Sequence, residues 1–106
     1  EDANKATLEK ATEYYLRYLK DFSGGSREDF VRFNLAGAYA DLNDFDNAIK
    51  YYQLSYKRST SPVFRSESRN RMAALYIKNN KADQGIPLFL DVFSERRQLR
   101  GWFRGI

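Results

Sequence analysis

The segment AIKYY at residues 48–52 decides the fold, because it places an aromatic residue four positions after a small one. Four positions are about one turn of an α-helix, so the two side chains lie one above the other on one face. The same spacing occurs in ATEYY at residues 11–15 and in GIPLF at residues 85–89, 37 residues away in either direction. Self-similarity at a fixed interval of about 20 to 50 residues is typical of stacked helical units. The chain is therefore predicted to consist of copies of one helical hairpin.

The composition of the chain excludes several classes of function. Its 106 residues suffice for one domain, and 42% hydrophobic with 16% aromatic residues is ample for a packed core. It contains no cysteine and no histidine, which removes disulfides, thiolate nucleophiles, the usual zinc sites and histidine general bases. No run in the chain approaches the roughly 20 apolar residues of a membrane-spanning helix. We expect a protein that is not an enzyme and that binds no metal and no cofactor.

Turn and capping signals divide the chain into about five helices and a short C-terminal one, without any strand. Gly24 and Gly25 end the first helix, and Ser26 with Asp29 has the spacing of a capping box for the second. Ser61 and Pro62 are suited to the cap and first residue of the fourth. The predicted helices are 4–22, 27 to about 42, Asp44 or Asp46 to about 58, 62 to about 79, and 82 or 83 to about 94, followed by 95–106.

The residues around the first segment resemble the tetratricopeptide repeat, a helical hairpin of about 34 residues. Matching positions are occupied by Leu35, Tyr39, Phe45, Ala48 and Tyr52, and one interval later by Met72, Tyr76, Gly85 and Phe89. The resemblance implies an all-α fold, a right-handed α-solenoid of stacked antiparallel hairpins in a single domain, 1–106. In that domain 4–22 is the second helix of a first repeat, 27–60 and 61–94 are full repeats, and 95–106 is a capping helix or the start of another repeat.

The repeat pattern also predicts the core. Small residues allow close approach of neighbouring helices, and aromatic residues fill the space between layers. The small positions are Ala36, Ala48, Ala73 and Gly85, and the aromatic positions are Tyr39, Tyr52, Tyr76 and Phe89. The pairs Glu28-Asp29 and Asp44/Asp46 lie at predicted helix starts, where they are expected to cap the helices and complement their dipoles rather than to catalyse a reaction.

The resemblance implies a groove, lined by the first helices of successive hairpins, that binds a peptide or helix of a partner protein. In this register the groove residues are Phe30, Phe33, Asn34, Gly37 and Asp41 on one helix and Glu67, Asn70, Arg71, Ala74 and Lys78 on the next. Asn34 and Arg71 coincide with two residues of the clamp that grips C-terminal carboxylates in co-chaperone members of the family. Glu67 stands where that clamp has a lysine, which argues against the same specificity.

Three of these groove residues admit alternatives. Phe30 and Phe33 cannot both face the core, so one is either an exposed anchor in the groove or packed against the preceding helix around Tyr15 and Tyr18. Asn34 either contacts the partner or donates a hydrogen bond to the backbone of the adjacent layer, which we favour because buried polar groups need such partners.

Two other functions remain open beside that of a protein-interaction scaffold. Apolar residues Leu99, Trp102 and Phe103 could stack on a second copy, because terminal repeats normally present polar outer faces. The basic cluster at residues 57–81, in a chain of net charge +4, could bind nucleic acid. That cluster lacks interleaved aromatic residues and any nucleic-acid motif, so this is the least favoured function.

The 37-residue interval exceeds the usual repeat by three residues, which we expect to lengthen the first helix of each hairpin. Repeats of this kind are similar to those of bacterial cell-envelope proteins, and the resemblance implies a location in the periplasm or cell envelope. The chain begins with Glu1 rather than methionine, so we expect it to be a fragment of a longer protein.

Overall fold

The computed structural model describes residues 2–22 and 24–90, and these ranges are helical apart from short turns. Its helices are α1 (Asp2–Asp21), α2 (Ser26–Asp41), α3 (Phe45–Arg58) and α4 (Pro62–Lys78), followed by α5, which is described over 82–90. No strand occurs in the described ranges, so the predicted all-α class is confirmed. The predicted end of the fifth helix near residue 94 and the segment 95–106, with Leu99, Trp102 and Phe103, lie outside the described residues.

The helices stack in the order of the chain. Helix α1 packs on α2, α2 on α3 and α3 on α4, and α2 also contacts α4; Gly85 of α5 lies against Ala73 and Ile77 of α4. Contacts between neighbouring helices, with α2 and α4 side by side, are what a stack of hairpins produces, because the first helices of successive hairpins line the same side of the stack. Helices α2 and α4, which each begin a hairpin, have 16 and 17 residues, whereas α3 has 14. The division of the chain into repeat units at residues 27, 61 and 95 stays a prediction.

Asparagine makes the turn inside each hairpin. Asn43 between α2 and α3 and Asn80 between α4 and α5 have positive φ angles of 61° and 62°. Asparagine tolerates this left-handed conformation better than other non-glycine residues. Asparagine can therefore occupy both of these turns.

The predicted caps are confirmed for two helices and wrong for a third. Asp44 accepts a hydrogen bond from the Asn47 N–H at 3.3 Å, and Ser61 accepts one from the Phe64 N–H at 3.4 Å, directly before Pro62. The predicted capping box at the start of α2 is absent, because Gly25 occupies the N-cap position and no side chain caps it.

Asp29 does not cap α2, because it is buried and contacts the turn before α4. Its Oδ2 accepts hydrogen bonds from the Thr60 N–H at 3.0 Å and the Thr60 hydroxyl at 2.8 Å, and Arg32 lies 3.4 Å from its Oδ1. Arg32 also donates to Glu28 at 2.7 Å, and Glu28 accepts from the Gly24 N–H. The predicted purely capping role of the Glu28-Asp29 pair is therefore wrong for Asp29, which ties two layers of the stack together.

The core contains the small residues that the interval predicts. Ala36, Ala48 and Ala73 have no exposed surface, and Tyr52 is only 2% exposed. The other predicted core aromatics are half-buried: Tyr39 stacks on Tyr51 with ring centres 5.7 Å apart, and Tyr76 meets the ring of Phe45 at 5.6 Å. The hydroxyls of Ser55 and Ser68 form a fully buried hydrogen bond of 2.8 Å between α3 and α4.

Gly85 is required by the contact between α5 and α4. A Cβ atom at this position would lie 2.6 Å from the Ala73 carbonyl oxygen and 2.9 Å from Cγ1 of Ile77. The carbonyl belongs to the backbone of α4 and cannot rotate away, so α5 would have to shift.

We therefore expect Gly85→Ala to lower the free energy of unfolding by about 2 kcal/mol, although alanine has a helix propensity about 1 kcal/mol better than glycine. Urea denaturation measures the change. Gly37→Ala is the control, because its Cβ would meet only the Tyr52 hydroxyl at an ordinary 3.6 Å. Equal or greater stability of Gly85→Ala would show that the helices do not approach this closely.

Candidate functional site

The candidate site is a groove of about 310 Å³ between α1, α2 and α4. In α2, positions three and four apart lie on one helical face, and this face carries the predicted residues into the groove. Five predicted residues line it, namely Phe33, Asn34, Gly37, Asp41 and Arg71, together with Leu8, Ala11 and Tyr15 of α1 and with Ala38. Apolar side chains from α1 thus face a mixed wall of an amide, a carboxylate and a guanidinium.

Arg71 reaches the groove from α4 and is held on several sides. Its guanidinium lies 5.0 Å from the centre of the Phe33 ring, and its Nε is 3.7 Å from a carboxylate oxygen of Glu67. Burial raises the pKa of the Tyr52 hydroxyl, and a hydrogen bond with Arg71 acts in the opposite direction. Arg71 and Glu67 are each about half-exposed. The Phe33 ring and the Glu67 carboxylate therefore hold the guanidinium in place, and Glu67 partly balances its charge.

The structure separates the two phenylalanines that the sequence could not distinguish. Phe33 is half-buried, with its ring centre 5.7 Å from Tyr52 and 5.3 Å from Phe64. Phe30 is 52% exposed and meets Phe64 edge-on at 6.5 Å. The aromatic neighbour of Phe30 therefore lies in α4, and Tyr18 stacks on Phe22 of its own helix at 4.9 Å. Phe30 thus does not take the predicted alternative of packing against the preceding helix around Tyr15 and Tyr18, whereas Phe33 lines the groove together with Tyr15.

Asn34 makes a different hydrogen bond from the favoured one. Its Nδ2 donates to the carbonyl oxygen of Phe30 at 2.8 Å, one turn back in the same helix. The predicted bond to the adjacent layer is wrong because this carbonyl is the nearer acceptor for a short polar side chain on a helix. Asn34 therefore stays at the wall of the groove.

The other five predicted residues do not line this groove; they are Phe30, Glu67, Asn70, Ala74 and Lys78. Phe30 is outside it, as described above. Lys78 is exposed and shares a shallower hollow of about 210 Å³ with Arg71, Ala74 and Tyr52. Asn70 is half-buried and lines neither of the two hollows. The sequence did not predict the wall formed by Leu8, Ala11 and Tyr15, which are partly exposed, because periodicity indicates the apolar face of a helix but not which part of that face stays uncovered.

The basic residues between 57 and 81 do not form one surface. Arg69 is 4% exposed and lies 5.5 Å from the ring centre of Tyr56, whereas Lys81 lies 5.0 Å from the ring centre of Phe45. Arg65 near the start of α4 and Lys78 at its end are separated by about 20 Å at 1.5 Å per residue. Nucleic-acid binding stays the least favoured prediction, because a phosphate backbone would meet scattered charges.

Within the described residues, no group of three or more acidic side chains is arranged to hold a metal ion. None of the helices in that part of the chain has the length and apolarity needed to cross a membrane.

Comparison with known proteins identifies one segment. The family model described as the tetratricopeptide repeat matches residues 31–61, which cover most of α2, all of α3 and the turn before α4. Neither the curated proteins nor the solved structures contain a significant match to the chain.

Proposed function

We propose that this chain, which carries a tetratricopeptide repeat at residues 31–61, is a non-catalytic scaffold that binds a peptide or helix of a partner protein in its groove. The repeat supports a protein-interaction scaffold in general. The observation that carries the groove proposal is that side chains predicted from register on two separate helices, α2 and α4, line one open hollow with α1. Concave sites with an apolar floor and a few polar groups are the usual form of binding sites.

The chemistry of the groove describes the segment that it would hold. Leu8, Ala11 and Tyr15 offer apolar surface to an aliphatic or aromatic side chain. Asn34 and Asp41 on the opposite wall offer polar groups that orient the segment. Because Glu67 pairs with Arg71, a free carboxylate gains less here than it would from an unpaired guanidinium.

Filling the groove, or reversing its charge, should weaken binding without unfolding the domain. Peptides selected from a displayed random library on the immobilised chain would serve as probes, and their dissociation constants would be measured by fluorescence anisotropy. We expect Gly37→Leu, which projects a side chain into the groove, and Asp41→Lys to weaken binding at least about tenfold. Gln53→Leu adds the same apolar side chain at an exposed position of α3 and should bind as the wild type does.

Circular dichroism would show that each variant keeps its helices. Selected peptides that bind Gly37→Leu and Asp41→Lys as tightly as the wild type would place the binding surface elsewhere. Failure of the library to yield any saturable binder sensitive to these substitutions would also overturn the proposal.

A further inference from the structure

A second hollow, of about 210 Å³, lies between α2 and α4 and adjoins the groove. Its lining comes from α2, α3 and α4 and consists of Ala40, Tyr52, Arg71, Ala74, Leu75 and Lys78. Tyr52 of α3 is 2% exposed, so it lies at the bottom of the second hollow. Arg71 lines the groove as well. The groove and the second hollow are therefore adjoining parts of one surface.

Further helices of the same stack would not cover the second hollow. In a solenoid each unit contacts only its neighbours, so a stack grows at its two ends. Helix α2 contacts α4 directly, and the second hollow opens between these two helices. A helix before α1 would pack beside α1 and α2, and a helix after α5 would pack beside α4 and α5. The opening between α2 and α4 therefore stays accessible in a stack of any length.

Opposite charges occupy equal positions of α2 and α4. Asp41 is the last residue of α2 and lines the groove. Lys78, one 37-residue interval later, is the last residue of α4 and lines the second hollow. Both side chains are exposed, and neither forms an ion pair with a described residue, including Lys5, which borders a further hollow with Asp41. Two charges of opposite sign thus border one open surface.

Helix stability accounts for Lys78 but not for Asp41. The C-terminal end of a helix carries a partial negative charge, which a lysine complements and an aspartate opposes. Helix α2 has no basic residue in its last turn to compensate. Burial raises the pKa of Tyr52, Arg71 acts against this shift, and the charge of Asp41 adds to it, so Asp41 also acts on the residue beneath the second hollow. A positive group bound beside Asp41 would offset this unfavourable charge.

We propose that this surface binds an extended segment of a partner protein with a lysine or arginine beside Asp41, an aspartate or glutamate beside Lys78, and an apolar residue between them. This inference rests on the proposed function and names the residue pattern of the bound segment. The apolar residue would pack on Ala40 and Ala74, which line the second hollow. The two charged residues would each complement a charge that has no ion-pair partner in the described part of the chain.

The spacing of the two helices sets the spacing of the charges in the segment. Packed helices have axes about 8–10 Å apart, and an extended chain advances about 3.3 Å per residue. Two side chains that are one helix spacing apart therefore match residues three positions apart in the segment. A peptide can cross α2 and α4 in either direction, so the surface selects the opposite signs of the two charges and not their order.

The test uses three displayed peptide libraries on the immobilised full 106-residue chain. Each library has random residues around a fixed pair three positions apart, which is lysine with glutamate, two lysines or two glutamates. We expect the wild type to select binders from the lysine–glutamate library. At low ionic strength, fluorescence anisotropy should show that a selected peptide binds about tenfold more tightly than its version with two lysines. High salt should reduce this difference, because the charges are exposed.

Charge reversal in the protein gives the decisive comparison. Lys78→Glu should reverse the preference, so that the version with two lysines binds about tenfold more tightly than the lysine–glutamate peptide. Asp41→Lys should favour the version with two glutamates. Because the expected result is a changed preference and not a loss of binding, unfolding cannot imitate it. Lys57→Glu is the matched control, because Lys57 is also exposed in the last turn of a helix but lines neither the groove nor the second hollow.

Selected peptides without a preference for oppositely charged pairs, or with a preference that Lys78→Glu leaves unchanged, would overturn this inference. The proposed function would survive that result if the same peptides remained sensitive to Gly37→Leu. A molar mass of the chain alone that rises with concentration in light scattering, and no longer rises in Lys78→Glu, would identify a second copy as the occupant. That result would also overturn the assignment of this surface to a partner protein.

Discussion

Replacing Tyr52 by alanine is expected to lower the free energy of unfolding by about 4 kcal/mol, within the range for large aromatic residues deleted from a core. Tyr52 is 2% exposed and packs with Ala36 of α2 and Met72 of α4. Its ring also meets Phe33 edge-on at 5.7 Å. Because one side chain of α3 contacts both neighbouring helices, its loss leaves a cavity where three helices meet. For a domain with a typical stability of about 5–15 kcal/mol, this is a large part of the total.

Urea denaturation followed by circular dichroism measures the effect. Tyr52→Phe is the control, because it keeps the ring and removes only the hydroxyl that bonds with Arg71; we expect it to cost about 1 kcal/mol or less. A loss below about 1 kcal/mol for Tyr52→Ala would mean that the layers can collapse onto the vacant space. It would also mean that the core does not depend on this position.

The 37-residue interval predicts which positions need small side chains, and the structure confirms these positions. Ala36, Ala48 and Ala73 have no exposed surface, and Gly85 has no room for a Cβ atom. Such positions can be predicted from the sequence, because two closely packed helices exclude a large residue at their contact in any fold.

Burial of the aromatic residues cannot be predicted from the sequence in the same way. Tyr15 and Tyr52 occupy identical positions in their repeats, yet only Tyr52 is enclosed. The difference comes from the neighbouring helix that each one has, and periodicity within a segment contains no information about neighbours. The same limit explains why the α1 wall of the groove was missed.

Local rules also fail where a distant partner competes for a side chain. The spacing of Ser26 and Asp29 is that of a capping box, but Asp29 instead accepts hydrogen bonds from Thr60, 31 residues further along the chain. In the groove, Asn34 and Arg71 line the same hollow. The repeat register does not reveal that Arg71 covers Phe33 and pairs with Glu67, because side-chain contacts depend on rotamers and not on spacing.

Replacing Asp29 by alanine is expected to cost about 3 kcal/mol at pH 7, the lower end of the range for breaking a buried ion pair. Asp29 and Arg32 are 4% and 5% exposed, and the lower end applies because Arg32 keeps its bond to Glu28. The loss would also leave the N–H and hydroxyl of Thr60 without their acceptor. Thr60→Val removes only the hydroxyl donor and should cost about 1 kcal/mol.

The contribution of Asp29 should depend on pH with a definite sign. Burial acts to raise the pKa of Asp29, but hydrogen bonds from Thr60 and the charge of Arg32 outweigh it and hold the pKa below the usual 3.8. The unfolded chain therefore binds the proton first as the pH falls, and the stabilisation is present above pH 3.8 and lost as the pH drops through the folded-state pKa. Asp29→Asn lacks this titration, so its unfolding free energy should approach that of the wild type in strong acid. A stability difference between the two proteins that stays constant from pH 7 to about pH 2 would show that the Asp29 carboxylate is not stabilised by Thr60 and Arg32.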